Sequence, residues 1–319
     1  MTAANRFNVS DTFQVLEHWI PCQHIREYPD ATSKRQEDVL YLAVKQYVPW
    51  DNLNPSEGDI SIIAAHGNGI PKGASSLSNK DKLGDDPSAF DHSRDLLFII
   101  NHCRDKLPPL IFGLGHSLVL IEPIVFFYSG KDRGRYLAAV VSARRRDSFP
   151  ILTAAVAYFR RSKMFGAWDL RSFDLWIKNG LRSNAGGLEL RVRLTTPKMQ
   201  ELRTFVRPVF ISDGHCDRRL LYPDLSSEAP DIEALDVLLY RPEPVITFYN
   251  LPYLRPATMF MLRDTIVDIT GIGISGSGGT VKGRVKAVLL ENCGHFAPME
   301  YPKRLAHQAL RGLSLNRGP

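Results

Sequence analysis

The sequence predicts an α/β protein built around a mostly parallel sheet. Residues 59–65 are almost continuously apolar, which is typical of a strand covered on both faces. A predicted amphipathic helix at residues 91–106 and a second apolar run that begins at residue 110 follow it. A strand, a helix and a strand in this order form the unit from which parallel sheets are assembled.

The elements before residue 110 are predicted from composition and end signals. Residues 1–36 are polar and lack periodicity, so we expect irregular chain there. Residues 39–48 are rich in strand-forming side chains and stop at Pro49, which predicts a strand. For the helix we expect Asp91 as the N-cap, because its carboxylate can accept from the first free N–H groups. The apolar stripe of this helix comprises Leu96, Leu97, Ile99, Ile100 and Cys103.

The long apolar run at residues 110–127 is predicted to form two buried strands rather than a membrane-spanning helix. It contains His116, Ser117 and Glu122. Placing these polar side chains in lipid without partners would be costly.

A helical cap is predicted to interrupt the sheet. Residues 131–240 contain helical segments dense in arginine and show no alternation of strand and helix. The sheet resumes with strands at residues 257–262 and 284–290, and a last helix is expected at residues 302–313. The predicted parts are the N-terminal half of the core (1–130), the helical cap (131–240) and the C-terminal half of the core (241–319).

The composition narrows the possible functions. The chain has 319 residues, of which 44% are hydrophobic and 23% charged, values that exclude a disordered, collagen-like or coiled-coil protein. The net charge of +6 comes from scattered residues, so we expect no nucleic-acid partner. The four cysteines are far apart, which predicts neither a disulfide framework nor a metal site and indicates a reduced, intracellular protein. They are Cys22, Cys103, Cys216 and Cys293.

Two candidate catalytic side chains follow predicted strands. Ser117 ends a glycine-flanked sequence that begins at Gly113, and His295 follows the last predicted strand. A serine at a sharp turn after a strand holds its oxygen above the sheet, where a histidine from a later loop can accept its proton. His66 and Gly67 follow an earlier strand, where backbone N–H groups for an oxyanion belong. This arrangement predicts nucleophilic acyl transfer by a serine.

Seven short segments of the chain form a distinctive combination. They are residues 68–72, 91–97, 113–117, 120–123, 240–244, 276–279 and 293–298. Together they resemble a family of fungal α/β-hydrolases found in secondary-metabolite and toxin biosynthesis clusters. That family includes the acyl-CoA hydrolase of mycophenolic acid formation and proteins of host-selective toxin pathways. The resemblance implies an α/β-hydrolase fold, hydrolysis of a small-molecule acyl ester or acyl-CoA thioester without a cofactor, and often a peroxisomal location. The last three residues, however, do not form a peroxisomal targeting tripeptide.

The resemblance also implies the role of each site residue. Ser117 would be the nucleophile, His295 the general base and Glu122 the acid that orients the imidazole. In most α/β-hydrolases the acid follows a later strand, which makes Asp264 the alternative. The backbone N–H group of Leu118 is expected to bind the oxyanion together with that of Asn68 or Gly67.

The chain departs from the family pattern in two places. The serine motif asks for a second glycine, but Val119 stands there, and Ser117 and Glu122 are so close in sequence that no elbow helix fits between them. After Lys72 the family supplies a further helix and strand, whereas this chain has a short polar stretch. The alternative prediction is therefore a catalytically impaired α/β-hydrolase-fold protein, either a degenerate paralogue or a binding protein.

Three weaker motifs are predicted to be structural. Residues 271–276 match a dinucleotide-binding glycine pattern but lack the helix that must follow it. Residues 213–217 contain metal-ligand atoms but have no second cluster at ligand spacing. Residues 144–146 are three arginines, which we expect on a solvated helix face and, alternatively, against the phosphates of an acyl-CoA.

Overall fold

The structure is a computed structural model of the chain, and it divides into two compact units. The first comprises Met1–Ile63 and Gly73–Phe112, and the second comprises Ala64–Lys72 and Gly113–Pro319. The described residues are 9–22, 25–65, 79, 82–84, 86–108, 110–114, 119–121, 137–183, 191–208, 239–240, 243–254, 257–262 and 285–315.

An antiparallel strand pair opens the first unit. Its register runs without a break from Phe13 opposite Pro49 to Pro21 opposite Tyr41. A 3-10 turn at Pro29–Ala31 lies in the connection between the strands. The elements are α1 (Val9–Thr12), β1 (Phe13–Pro21) and β2 (Tyr41–Pro49).

The prediction of irregular chain at residues 1–36 is wrong, because β1 lies within that range. The strand predicted at residues 39–48 is confirmed as β2. Most of β1 is exposed, so polar side chains such as Glu17 and His18 interrupt its apolar residues. Because neither face of β1 is continuously covered, its sequence does not alternate between apolar and polar residues as a half-buried strand does.

The predicted strand, helix and strand are all present. The strand before the helix, Ile60–Ala64, pairs with the strand after it, Leu110–Leu114. A 3-10 turn at Arg104–Lys106 ends the helix. The elements are β3 (Ile60–Ala64), α2 (Ala89–Cys103) and β4 (Leu110–Leu114).

The N-cap of α2 is Ser88 rather than Asp91. The Phe90 N–H donates to Ser88 Oγ at 3.1 Å. Asp91 is instead buried inside the helix, where its carboxylate accepts from the backbone N–H of Glu27 at 3.0 Å. The most buried side of α2 therefore carries carboxylates, since Asp95 is buried as well and pairs with Arg26 at 3.0 Å. The predicted apolar stripe is only partly covered.

The second strand of the apolar run is β5 (Val119–Ile121), which agrees with the prediction of two strands in residues 110–127. In β4, Leu110 and Ile111 are exposed, so the expected burial is wrong for the start of that strand. In the part of the chain that the structure describes, no helix is long and apolar enough to cross a membrane.

The region predicted to form a cap contains helices and also a small antiparallel sheet that the sequence did not predict. In this sheet β8 lies between β6 and β7. The elements are α3 (Leu137–Arg144), β6 (Ser148–Phe149), α4 (Leu152–Arg161), α5 (Lys163–Gly166), α6 (Leu170–Gly180), β7 (Leu181–Ser183), β8 (Val192–Leu194) and α7 (Lys198–Phe205).

An aromatic cluster forms the centre of this region, and we call it the cap cluster. Its rings meet edge to face or tilted, with Phe159 and Trp176 centroids 4.6 Å apart. Such aromatic pairs stabilise a core beyond the area that they bury. The cap cluster comprises Phe149, Ala155, Phe159, Phe165, Trp168, Phe173, Trp176, Leu181, Val192 and Leu194. The predicted start of the cap near residue 130 lies outside the described residues.

The last part of the chain contains a parallel sheet, which confirms the predicted α/β class. β11 is the central strand and pairs in parallel with both β5 and β12. All five residues of β11 are buried. The elements are β9 (Arg207–Pro208), which pairs with β10 (Leu239–Tyr240), α8 (Glu243–Asn250), a 3-10 turn (Leu251–Tyr253), β11 (Thr258–Leu262), β12 (Val285–Leu289), α9 (Ala297–Glu300) and α10 (Pro302–Leu315).

Two hydrophobic clusters cover this sheet. The smaller one packs α8 against Phe260 and Leu262. The larger one, which we call the sheet cluster, joins the strands to the two last helices. The sheet cluster comprises Ile121, Met259, Met261, Leu290, Ala297 and Leu305, with Leu114, Val288, Cys293 and Ala309 packed against it.

Candidate active site

His295 lies in a tight turn that begins at the end of β12. The turn starts where the Leu290 N–H donates to the Leu262 carbonyl at 2.6 Å, which extends the β11–β12 pairing by one residue. Asn292 then adopts a left-handed conformation with φ of 58°. Asparagine tolerates this conformation better than most residues other than glycine. The chain therefore turns sharply just before His295.

Two hydrogen bonds fix the start of this turn. The Cys293 thiol donates to the Leu290 carbonyl at 2.9 Å, and Arg304 Nη1 donates to the Glu291 carbonyl at 2.8 Å. Backbone carbonyl groups just beyond the end of a strand have no strand partner, and here neighbouring side chains donate hydrogen bonds to them.

The second half of the turn closes back on the first half. The Met299 and Glu300 N–H groups both donate to the Phe296 carbonyl, which makes α9 a single helical turn. The Glu300 side chain then accepts from the Gly294 N–H at 2.6 Å, through Oε2. His295 therefore lies inside a loop whose two ends are joined by one hydrogen bond. We call residues 294–300 the histidine loop.

The histidine loop packs into both large hydrophobic clusters. Ala297 is fully buried in the sheet cluster, while Phe296 and Met299 pack against the cap cluster. The Phe296 ring lies 5.7 Å from that of Trp168, and the Asp169 N–H donates to the Met299 carbonyl at 2.9 Å. These contacts place His295 at the junction of the cap cluster and the sheet.

The residues that flank the predicted nucleophile and acid pack in the same cluster as the histidine loop. Leu114 precedes residues 115–118, which contain Ser117, and Ile121 precedes Glu122; both contact the sheet cluster. Ile121 is level with Met261 and Val288 across the three strands. Because these strands are parallel, their carboxyl ends lie at one edge of the sheet.

Most of the predicted site residues themselves lie outside the described residues. Of the predicted set, the structure describes His295 and the strands that lead to the others. The residues not described are Ser117, Leu118, Glu122, Asp264, Gly67 and Asn68.

The three arginines at residues 144–146 do not form a uniform solvated face. Arg145 is mostly buried and pairs with Glu201, which also accepts from Ser142 Oγ at 2.7 Å. Arg146 donates to the Ser148 carbonyl at 2.9 Å and lies over the Phe149 ring. Two of the three guanidinium groups therefore hold the cap region together, and Arg144 is exposed.

The other weak motifs, at residues 213–217 and 271–276, lie outside the described residues. Within the residues that the structure describes, no group of three or more His, Cys, Asp or Glu side chains could hold a metal ion.

Sequence reasoning missed the supports of His295. Glu300 and Trp168 carry no recognised motif, and their roles depend on contacts that form only in the folded chain. A glutamate six residues after a glycine in a short turn is the one signal that could have pointed to Glu300.

Comparison with known proteins gives both a family and a fold. The chain is 32% identical over 374 aligned positions to the type I acyl-CoA thioesterase mpaH of Penicillium roqueforti, with 91% of this chain and 85% of that protein covered. It is 24% identical over 209 positions to the abhydrolase domain-containing protein AKT2 of Alternaria alternata, covering 60% of this chain and 70% of the relative. No protein-family model matches the chain.

A solved structure shows the same fold. The peroxisomal α/β-hydrolase Lpx1 of Saccharomyces cerevisiae superposes with a TM-score of 0.67, covering 97% of this chain and 92% of that one at 15% identity. This likeness confirms the predicted α/β-hydrolase fold.

The alignment with mpaH also bears on chain length. Its 374 positions exceed the 319 residues of this chain, so the relative carries segments within the matched region that have no counterpart here. The predicted lack of an elbow helix and of a helix and strand after Lys72 is consistent with this difference.

Proposed function

Because the chain belongs to the α/β-hydrolase family of the fungal mpaH acyl-CoA thioesterases, we propose that it hydrolyses a small-molecule acyl thioester or ester with Ser117 as the nucleophile. The observation that carries the proposal is the sheet cluster. It contains residues that immediately precede the serine segment and Glu122, and it contains the base of the histidine loop.

The proposed reaction is acyl transfer to Ser117 followed by hydrolysis. Ser117 Oγ attacks the carbonyl carbon while His295 takes the hydroxyl proton. The bond to the leaving thiol or alcohol then breaks, and His295 returns the proton to that group. In the second half His295 takes a proton from water, the hydroxide attacks the acyl-serine, and the free acid leaves as Ser117 regains its proton.

Backbone N–H groups are proposed to stabilise the negative oxygen that forms in each half. These are the N–H of Leu118 and that of Asn68 or Gly67. Donors that are fixed in advance against such an oxygen contribute about a hundredfold to a thousandfold each in related chemistry.

The acid that orients His295 is proposed to be Glu122, with Asp264 as the alternative. Glu122 directly follows β5, and Asp264 comes two residues after β11. His295 follows β12, which β11 neighbours at about 5 Å, and β5 lies one strand further from β12, at about 10 Å. This strand order supports the proposal that a carboxylate after β5 or after β11 orients His295. The local family match at residues 120–123 favours Glu122.

The proposal includes an acyl-CoA as the thioester substrate, which is what mpaH is named for. It also includes a peroxisomal location, which the resemblance implies and which Lpx1 has.

A second candidate is a catalytically impaired hydrolase fold, and one observation favours it. Between Leu114 of β4 and Val119 of β5 the chain has residues 115–118 alone, which is too short for an elbow helix. In the described strands β4 pairs with β3 and β5 pairs with β11. A displaced nucleophile would lower turnover strongly, since an error of about 1 Å can cost about a hundredfold.

Thiol release from acyl-CoA substrates tests both candidates. Purified protein is assayed with a chain-length series of acyl-CoA, and a serine-directed phosphonate is mapped by mass spectrometry. Ser117→Ala and His295→Gln should each lower kcat at least about a thousandfold, and Glu122→Gln more than Asp264→Asn. Ser93→Ala, an exposed serine on α2, is the matched control and should retain full activity.

The same measurements separate the outcomes. Release that survives Ser117→Ala, or a phosphonate that labels another residue, would overturn the role of Ser117. Folded protein that neither releases thiol nor takes up the phosphonate would support the impaired fold.

A further inference from the structure

Glu300 is fixed by two hydrogen bonds, one through its backbone and one through its side chain. Its backbone N–H donates to the Phe296 carbonyl at 3.0 Å, and its side chain accepts from the Gly294 N–H at 2.6 Å. Both interactions lie within the histidine loop, so Glu300 closes a ring around His295. A hydrogen bond to an ionised acceptor is roughly twice as strong as one between neutral groups.

The close approach of Glu300 requires a glycine at residue 294. A Cβ at this position would overlap Glu300 Oε1 and would also lie 3.2 Å from Cδ. The carboxylate therefore occupies the space that any other side chain would need. The glycine and the glutamate form one packed unit.

Other contacts hold both sides of the histidine loop. On one side Ala297 is buried in the sheet cluster, and on the other the Asp169 N–H holds the Met299 carbonyl. The peptide between Cys293 and Gly294, which carries the Gly294 N–H, is held by the Glu300 carboxylate. Rotation of that peptide would change the φ angle of Gly294 and swing the imidazole, because the His295 Cα is the next one along the chain.

We propose that Glu300 is a positioning residue that sets the orientation of His295 by holding the Gly294 N–H. This inference rests on the proposed function, in which His295 moves protons. Glu300 acts through the backbone and does not contact the reacting atoms.

The first test reads the loop directly and needs no catalysis. Glu300→Ala, Glu300→Gln and Glu291→Ala are compared with the parent protein by hydrogen exchange of the Gly294 amide and by NMR signals of the His295 ring. Glu291 is an exposed carboxylate of the same turn, so it is the matched control. Glu300→Ala should speed exchange at Gly294 at least about tenfold and split or broaden the ring signals, because the hydrogen bond is lost.

The glutamine variant separates the hydrogen bond from the charge. Its amide oxygen can still accept from the Gly294 N–H, so Glu300→Gln should keep most of the protection. Exchange and ring signals that are identical in the parent and Glu300→Ala would overturn the proposal, whether or not the protein hydrolyses any substrate.

The second test uses kinetics. Glu300→Ala should lower kcat for thioester hydrolysis about tenfold to a hundredfold with KM nearly unchanged, because a misplaced base affects proton transfer and not substrate binding. Glu300→Gln should restore most of kcat, and Glu291→Ala should match the parent. A rise in KM at constant kcat would overturn the positioning role.

A double-mutant cycle tests the packed unit. Gly294→Ala alone should lower kcat as much as Glu300→Ala, since the added methyl displaces the carboxylate. In the Glu300→Ala background the same substitution should have little further effect, because its clash is gone. Effects of the two substitutions that multiply in full would contradict the inference.

Discussion

Two connections between strands in this chain have opposite outcomes. β11 and β12 are joined by residues 263–284 and pair in parallel over their full length. β4 and β5 are joined by residues 115–118, and each pairs with a different strand, β4 with β3 and β5 with β11. Parallel neighbours need a crossover of about a dozen residues or more. The long connection meets this requirement and the short one does not.

The difference teaches that connection length, and not strand quality, decides whether two successive strands of this chain can pair with each other. β4 has strand-forming residues, yet Leu110 and Ile111 at its start are exposed. β11, with a strand on each side, has every residue buried. In the described part of the chain the β1–β2 pair and the β3–β4 pair are likewise separate two-stranded sheets.

The largest expected effect is on the free energy of unfolding, in a comparison of β11, which has a strand on each side, with the more exposed β4. Phe260 in β11 is 1% exposed and packs against α8, so Phe260→Ala should lower the free energy of unfolding by about 3–5 kcal/mol. Ile111 in β4 is 38% exposed, so Ile111→Ala should cost less than about 1 kcal/mol. Urea unfolding followed by circular dichroism measures both. Equal losses would contradict the comparison.

The next effect comes from lengthening the short connection. A helix-forming segment of about 15 residues inserted between Leu118 and Val119 should let β4 and β5 become parallel neighbours. If the serine then reaches its working position, thiol release should rise about tenfold or more. The rise should disappear with Ser117→Ala.

A flexible insertion is the control for this experiment. A Gly/Ser segment of equal length supplies the reach without a helix, and flexible linkers of this kind behave as random coil. It should give little or no gain in thiol release. Equal gains from both insertions would show that reach alone, rather than a packed crossover, was missing.

The parallel sheet could be predicted because its signals are local. Residues 257–262 are an apolar run and residues 284–290 are rich in strand-forming side chains, and the structure has strands at Thr258–Leu262 and Val285–Leu289. β1 was missed because polar side chains such as Glu17 and His18 interrupt its apolar residues, which removes the pattern on which strand prediction depends.

Features that depend on tertiary contacts could not be predicted. Asp91 was expected to cap α2, but its carboxylate accepts from the Glu27 N–H, and Ser88 is the cap. In the candidate site His295 was predicted from its place after a strand. The Glu300 carboxylate that holds the Gly294 N–H was not, because nothing in the spacing states which way its side chain turns.

The smallest expected effect concerns whether the separate β1–β2 pair is firmly packed. Cys22 follows β1, and its N–H donates to the Leu40 carbonyl at 2.7 Å. The side chain is 2% exposed, and burial, with the nearby Asp95 carboxylate, raises the pKa of its thiol to about 12. A firmly packed strand pair should keep this thiol protonated and unreactive.

Two measurements test the packing of the β1–β2 pair: the alkylation rate of the Cys22 thiol and the pH dependence of the free energy of unfolding. At pH 8 iodoacetamide should modify Cys103, which is partly exposed, long before Cys22, and urea should abolish the difference. Because the unfolded thiol ionises near its ordinary pKa of 9.0 and the folded one near 12, stability should fall as pH rises through that interval. Cys22→Ala should remove that part of the pH dependence. Equal alkylation rates for the two thiols in the folded protein would show that the β1–β2 pair is loosely packed, and the comparison would then extend from pairing to packing.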